Sequence, residues 1–151
     1  MTDRADWVPK ILIVDDDPDQ LFISERLIEK TRMDFTVVTA AGGPQALTYL
    51  SEVFGGDPSA VPIVMFLDIR MPGMDGFNVL RWTRNRVEFS HLKVIMLSSS
   101  DDPKDAKSAS DLGANGYLIK HPHCQTMACI LRQVLATAHT PDAALIDHQA
   151  R

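Results

Sequence analysis

Asp15-Asp16-Asp17, Asp68, Ser98 and Lys120 are the side chains of this sequence best suited to chemistry, and each position ends a short apolar run. Singly they say little. An acidic cluster ahead of a helix is more often a cap and a solvated turn. A serine there is usually a turn former, and a lysine usually faces solvent. Asp68 differs, because the apolar stretch Ile63–Leu67 carries it to the edge of a sheet. The combination is what counts. Carboxylates converging in one pocket repel, and raise one another's pKa unless a cation neutralises them. Hard oxygen ligands of this kind suit Mg²⁺, which takes one or two carboxylates and keeps several waters. A lysine and a hydroxyl across the pocket can then hold an anion beside Asp68. An oxygen nucleophile, a metal and fixed positive charge are the parts of a phosphoryl-transfer site.

Five apolar runs alternate with five helical patterns, and these must position the polar residues. The strands are expected at Lys10–Asp15, Phe35–Thr39, Ile63–Asp68, Val94–Ser98 and Gly116–Lys120. Three of them are continuously apolar, as parallel strands covered on both faces are. The helices are expected at about 18–32, 44–54, 76–87, 103–112 and 124–138. Asp17-Pro18, Gly43-Pro44 and Asp102-Pro103 each set a capping residue before a proline at the first helical position. The last helix has a full stripe of Met127, Ile130, Leu131, Val134, Leu135 and Ala138, and the second shows Ala46, Leu50, Val53 and Phe54 on one side. The fourth has alanines and Leu112 alone to bury, which predicts weak anchoring. Strict alternation implies a doubly wound α/β fold, a parallel five-stranded sheet with right-handed crossovers. Ligand sites in such sheets lie beyond the carboxyl ends of the strands, where the strand order reverses.

The 151 residues suit one compact domain, with 45% hydrophobic and 23% charged residues. Residues 1–9 read as a polar arm, 10–138 as the domain and 139–151 as a loose tail. No apolar run approaches the roughly 18 residues of a membrane helix, and the start lacks a secretory pattern. The expected location is therefore cytoplasmic. The net charge of −5 and the lack of a basic run argue against nucleic acid as a partner. Cys124 and Cys129, five apart on one expected helix, do not suit a disulfide and read as buried or idle thiols. Connections 55–62 and 85–91 are long for this architecture.

At ILIVDDDP, FLDIRMPGMDGF, VIMLSSS and GANGYLIK the chain resembles the receiver domain of two-component response regulators. The resemblance runs from about Lys10 to Ala138. It implies the flavodoxin-like strand order 2-1-3-4-5 and a single-domain phosphoacceptor switch rather than an enzyme. Asp68 would take a phosphoryl group from a histidine kinase or phosphotransfer protein. Mg²⁺ would be held by Asp16 directly, by Asp15 mostly through water, by Asp68 and by the backbone carbonyl of Arg70. Lys120 would pair with the phosphoryl group, Ser98 would move to it, and Tyr117 would rotate with Ser98. Pro72, Gly73 and Gly76 would shape the loop after the acceptor. The output would be a changed surface of the fourth helix, fifth strand and fifth helix, offered to another protein; homodimerisation stays open.

One departure concerns the residue after Lys120. The family usually has proline there, often after a cis bond, whereas here His121 precedes Pro122. A cis Lys120-His121 bond would cost about 3–4 kcal/mol, so a cis bond would be far cheaper at His121-Pro122. His121 and His123 read as exposed loop residues, and Arg70 as a solvent-facing side chain that could touch the phosphoryl group. ILIVDDDPD is also similar to the nucleophile motif of haloacid dehalogenase-type phosphohydrolases, with Asp15 as nucleophile and Asp17 as acid. Those enzymes need a further acidic pair after the lysine, and here Asp142 and Asp147 fall in the tail. A third reading is a pseudo-receiver, an interaction module that is never phosphorylated.

Overall fold

The computed structural model describes residues 8–53, 56 and 60–138, so most of the expected arm, Phe54, much of the 55–62 connection and the tail lie outside them. Strands β1 (Lys10–Val14), β2 (Thr36–Ala40), β3 (Val64–Asp68), β4 (Lys93–Ser98) and β5 (Gly116–Ile119) form one sheet in the order β2-β1-β3-β4-β5. Every neighbouring pair is parallel. Helices α1 (Pro18–Lys30), α2 (Gly43–Val53), α3 (Gly76–Arg84) and α4 (Pro103–Asp111) make the crossovers, and α5 (Cys124–Ala136) follows β5. The order reverses between β1 and β3, which places a crevice at their carboxyl ends.

The helix starts follow local chemistry. Asp17 Oδ1 accepts from the Asp19 amide at 2.9 Å, and Asp102 Oδ1 accepts from the Lys104 amide at 2.9 Å, each with proline at the first helical position. Gly43 is the first residue of α2 rather than its cap. At α3, Asp75 and Asn78 form a reciprocal capping box that the sequence reading missed. This helix stops at Arg84, short of the expected 87. A 3-10 turn at Val87–Phe89 follows and drives Phe89 into the core at 1% exposure. The Arg84 guanidinium secures that turn by donating to the carbonyls of Phe89 and Gly113 and to the Asn115 side chain.

Alternation along the strands divides the core. Leu12, Val14, Met65, Leu67, Val94, Met96 and Tyr117 pack with the α2–α3 side. Ile11, Ile13, Val64, Phe66, Ile95, Leu97 and Leu118 pack with α5 and Ile28 of α1. The α5 stripe buries Met127, Ile130, Leu131 and Val134, but Leu135 is 39% exposed, so the stripe is narrower than expected. The α4 face is as thin as expected, with Ala106 and Ala109 buried and Leu112 half-buried, joined by the unforeseen buried carboxylate of Asp105.

Gly76 brings α3 against the end of β3. Its amide donates to the Ile69 carbonyl at 2.8 Å, and a Cβ there would overlap the Asp68 carbonyl oxygen and lie 2.9 Å from Ile69 Cα. Those neighbours are backbone and cannot rotate away. Gly76→Ala is therefore expected to lower stability by about 2–3 kcal/mol by forcing α3 off the β3 end. Urea denaturation followed by circular dichroism checks this; a change under 0.5 kcal/mol would show that the close approach is not needed.

Candidate functional site

Asp15, one residue past β1, and Asp68, the last residue of β3, come together because Val14 and Leu67 are register partners. The Asp15 amide donates to the Ala40 carbonyl at 3.1 Å, fixing the chain as it leaves the sheet. Asp15 and Asp68 are buried while Asp16 is exposed at the rim, and one carboxylate oxygen from each lies within 4.8 Å of the others. Lys120 follows β5. Its Nζ lies 2.9 Å from Asp15 Oδ2 and 3.3 Å from Asp68 Oδ1. These groups border an open cleft of about 500 Å³, lined also by Gln20, Arg70, Ser99 and His121.

The electrostatics follow from that crowding. Burial first, and then the negative charge of Asp15, push the Asp68 carboxyl up to about 6, against the opposing pull of Lys120 and of the Arg70 amide hydrogen bond. For Lys120, burial works to lower the pKa. Its hydrogen bond to Asp15 and the charges of Asp68 and Asp15 outweigh burial and raise it. Lys120 is thus a fixed cation shared by two carboxylates, with a third carboxylate nearby. Hard oxygen donors this close, with one on the open rim, fit a divalent cation that keeps part of its water shell.

His121 does not pull Lys120 from the site. No cis peptide bond occurs among the described residues, so both the Lys120-His121 and the His121-Pro122 bonds, left open by the sequence, are trans. Instead His121 takes a φ of +60°, a left-handed conformation that turns the chain after Lys120. Its Nε2 lies 2.8 Å from Gln20 Oε1. His123 is exposed, as expected. Neither thiol is in a disulfide: Cys124 is half-buried, and exposed Cys129 accepts from Gln133 Nε2 at 3.4 Å.

Two expected site residues lie behind the cleft rather than in its lining. Ser98 is 1% exposed, and its Oγ accepts from the Ser100 amide at 3.0 Å. Tyr117 is buried and donates to the Ser100 carbonyl at 2.6 Å. Ser99 borders the cleft instead, a position that the run Ser98-Ser99-Ser100 leaves ambiguous in sequence. Pro72 and Gly73 are exposed on the loop after Asp68, with Gly73 at a φ of +76°. Arg70 does not simply face solvent: Nη2 donates to both oxygens of Asp105, at 2.9 and 3.2 Å. A pairing across 35 residues leaves no sequence signal. Asp17, the acid of the phosphohydrolase reading, is committed to capping α1.

Residues 11–132 match the family model described as response regulator receiver domain. The chain belongs to that family. This receiver is 32% identical over 111 residues to protein PilG of Pseudomonas aeruginosa, covering 74% of this chain and 76% of that protein. It is 33% identical over 135 residues to a probable transcriptional regulator, ycf27, of Cyanophora paradoxa, covering 87% of this chain and 50% of that protein. The receiver thus spans about half the length of several curated relatives it matches. Among solved structures, the bacteriophytochrome response regulator AtBRR superposes with a TM-score of 0.70 at 27% identity, over 93% of this chain and 95% of that one. A receiver domain of a signal transduction histidine kinase from Syntrophus aciditrophicus gives a TM-score of 0.74 at 25% identity, over 88% and 94%. No helix among the described residues is long and apolar enough to cross a membrane.

The raised pKa gives a stability prediction for protein kept free of metal with a chelator. The folded state holds the Asp68 proton up to about pH 6, whereas the unfolded chain releases it around the ordinary value of 3.8. Between those values the native state binds more protons, so stability falls as pH rises through the window. Asp68→Asn removes that loss and is expected to raise stability at pH 7.5 by about 1–3 kcal/mol, with little gain near pH 4. Thermal melts across this range check it; an equal gain at both ends would refute the electrostatic origin.

Proposed function

We propose that this receiver takes a phosphoryl group onto Asp68 from the phosphohistidine of a histidine kinase or phosphotransfer protein, with Mg²⁺ as cofactor. The observation that carries the reading is the convergence of the Asp15, Asp16 and Asp68 carboxylates within 4.8 Å, with Lys120 Nζ 3.3 Å from the acceptor. Asp16 and Asp68 would hold the ion directly, Asp15 mostly through water, and the Arg70 carbonyl would complete the protein's ligands. The ion would neutralise the crowded carboxylates and draw charge from the phosphoryl oxygens.

The remaining chemistry belongs to the chain. With the crowded carboxylates neutralised by the ion, Asp68 would be ionised at neutral pH and could present an oxygen to phosphorus as the nucleophile. An Asp68 oxygen attacks phosphorus, the P–N bond to the donor imidazole breaks, and its electron pair returns to the ring nitrogen. Lys120, fixed by Asp15, holds a phosphoryl oxygen. Ser98 would swing from the Ser100 amide toward the new anion. Because Ser100 also carries the Tyr117 hydrogen bond, that movement would carry into the segment ahead of α4. The output surface would be α4, β5 and α5.

The donor protein must reach Asp68. Beside the cleft, and sharing His121 with it, lies a groove of about 320 Å³ lined by Phe22, Ile23, Leu27 and Pro122. Phe22 is 64% exposed and Ile23 40%, on the helix that begins just after Asp15 and Asp16. The donor's helix would lay its apolar side here and set its histidine over the cleft.

Acetyl phosphate with Mg²⁺ is expected to add a single acid-stable, base-labile phosphoryl group, mapped by mass spectrometry to Asp68 and lost in Asp68→Asn or with EDTA. Steady phosphate release that needs Asp15 would mark a hydrolase, and no labelling at all would mark a pseudo-receiver. Ser98→Ala is expected to keep this labelling, whereas Lys120→Ala loses most of it. Phe22→Asp is expected to leave acetyl phosphate labelling intact and to slow transfer at least tenfold from whichever of a panel of phosphorylated histidine kinases labels the wild type fastest. Unchanged transfer from that kinase would remove the groove as the docking surface.

A further inference from the structure

Arg70 stands at a junction. It lines the cleft that holds Asp68, while its Nη2 grips both oxygens of Asp105 in the first turn of α4. The partners are unequal. The Arg70 side chain is 66% exposed, so its long stem can swing at little cost, whereas the Asp105 side chain is 12% exposed. Tyr117 lies close enough to sense the charges of both. When Arg70 leaves, a largely buried carboxylate stays behind without its counter-charge, which is more disruptive than exposing the arginine.

We infer that Arg70 is a positioning residue that exchanges partners: it leaves Asp105 for the phosphoryl oxygens and thereby unlatches α4. The inference rests on Asp68 being the phosphoacceptor. A phosphoryl group adds between one and two negative charges to the cleft. Lys120 is already divided between Asp15 and Asp68, so its ammonium serves several anions at once. Arg70 lines the cleft and is far more exposed than Lys120, and its guanidinium fork can take phosphoryl oxygens in the same bidentate way as it takes a carboxylate. Its departure strands Asp105 on a helix whose apolar anchors are chiefly Ala106 and Ala109. Held over the phosphoryl group, the guanidinium shields phosphorus from water, so the lifetime of the modified state depends on how strongly Asp105 competes.

The test is a double-mutant cycle on the full chain, loaded with acetyl phosphate and Mg²⁺ and followed by intact mass after the donor is removed. Asp105→Asn preserves shape while releasing Arg70, and is expected to lengthen the phosphoryl half-life about threefold. In the Arg70→Ala background the same Asp105→Asn change is expected to alter nothing. Hydrogen exchange gives a second readout: α4 amides of unmodified Arg70→Ala should exchange as fast as those of phosphorylated wild type. A half-life unchanged or shortened by Asp105→Asn, or lengthened equally with Arg70 absent, overturns the exchange while leaving phosphorylation of Asp68 in place. If wild type gains no phosphoryl group, the acceptor reading itself fails, and this inference with it.

Discussion

Two carboxylates nearly sealed from solvent, Asp15 and Asp68, share the ammonium of Lys120, and a third carboxylate stands at their rim. The sheet makes this crowding unavoidable. Val14 and Leu67 are register partners, so the residues that follow them cannot separate without unzipping β1 from β3. Burial and repulsion both strain the resting site, and together, burial first, they appear as the elevated pKa of Asp68. Anything that brings positive charge into the cleft relieves the repulsion. Anything that adds negative charge must recruit a new cation or displace an old one.

The pleat separates the chemistry from its readout. By strand alternation Asp68 and Lys120 continue the face of Phe66 and Leu118, which packs toward α1 and α5. Ser98 continues the face of Met96, shared with Tyr117 and with Ala106 and Ala109 of α4. The two sets join through backbone, because the Lys120 amide donates to the Ser98 carbonyl at 2.8 Å. Charge on one face thus has a short route to side chains on the other, through the carboxyl ends of β4 and β5.

Most of this architecture was legible because the apolar runs are short, unbroken and regularly spaced. Asp17 and Asp102 marked helix starts correctly, since a capping carboxylate before proline has few other uses. The end of α3 was misplaced because Val87 and Phe89 look like continued helical pattern, while the side chain that secures the turn beyond the helix, Arg84, acts through the carbonyls of Phe89 and Gly113. The acidic cluster was visible from the strand ends. Whether Ser98 or Ser99 faced the cleft was not, because adjacent residues at a strand end differ by one pleat. The Arg70–Asp105 pair was invisible for a different reason: it joins two loop-proximal charges by tertiary packing alone.

The thin face of α4 decides which element an added charge can move. Burial of a full aliphatic side chain is worth about 1.5–3 kcal/mol, so the four buried large side chains of α5 hold it by roughly 6–12 kcal/mol. The methyl groups of Ala106 and Ala109 contribute only about 1–2 kcal/mol by the same measure. With its arginine side chain 66% exposed, the Arg70–Asp105 pair is screened by solvent and is worth about 1 kcal/mol. Such a pair is small against the anchoring of α5 and comparable to that of α4. The contact from Arg70 to Asp105 is therefore a large share of what seats α4, and redistributing charge in the cleft can shift that helix while α5 stays docked.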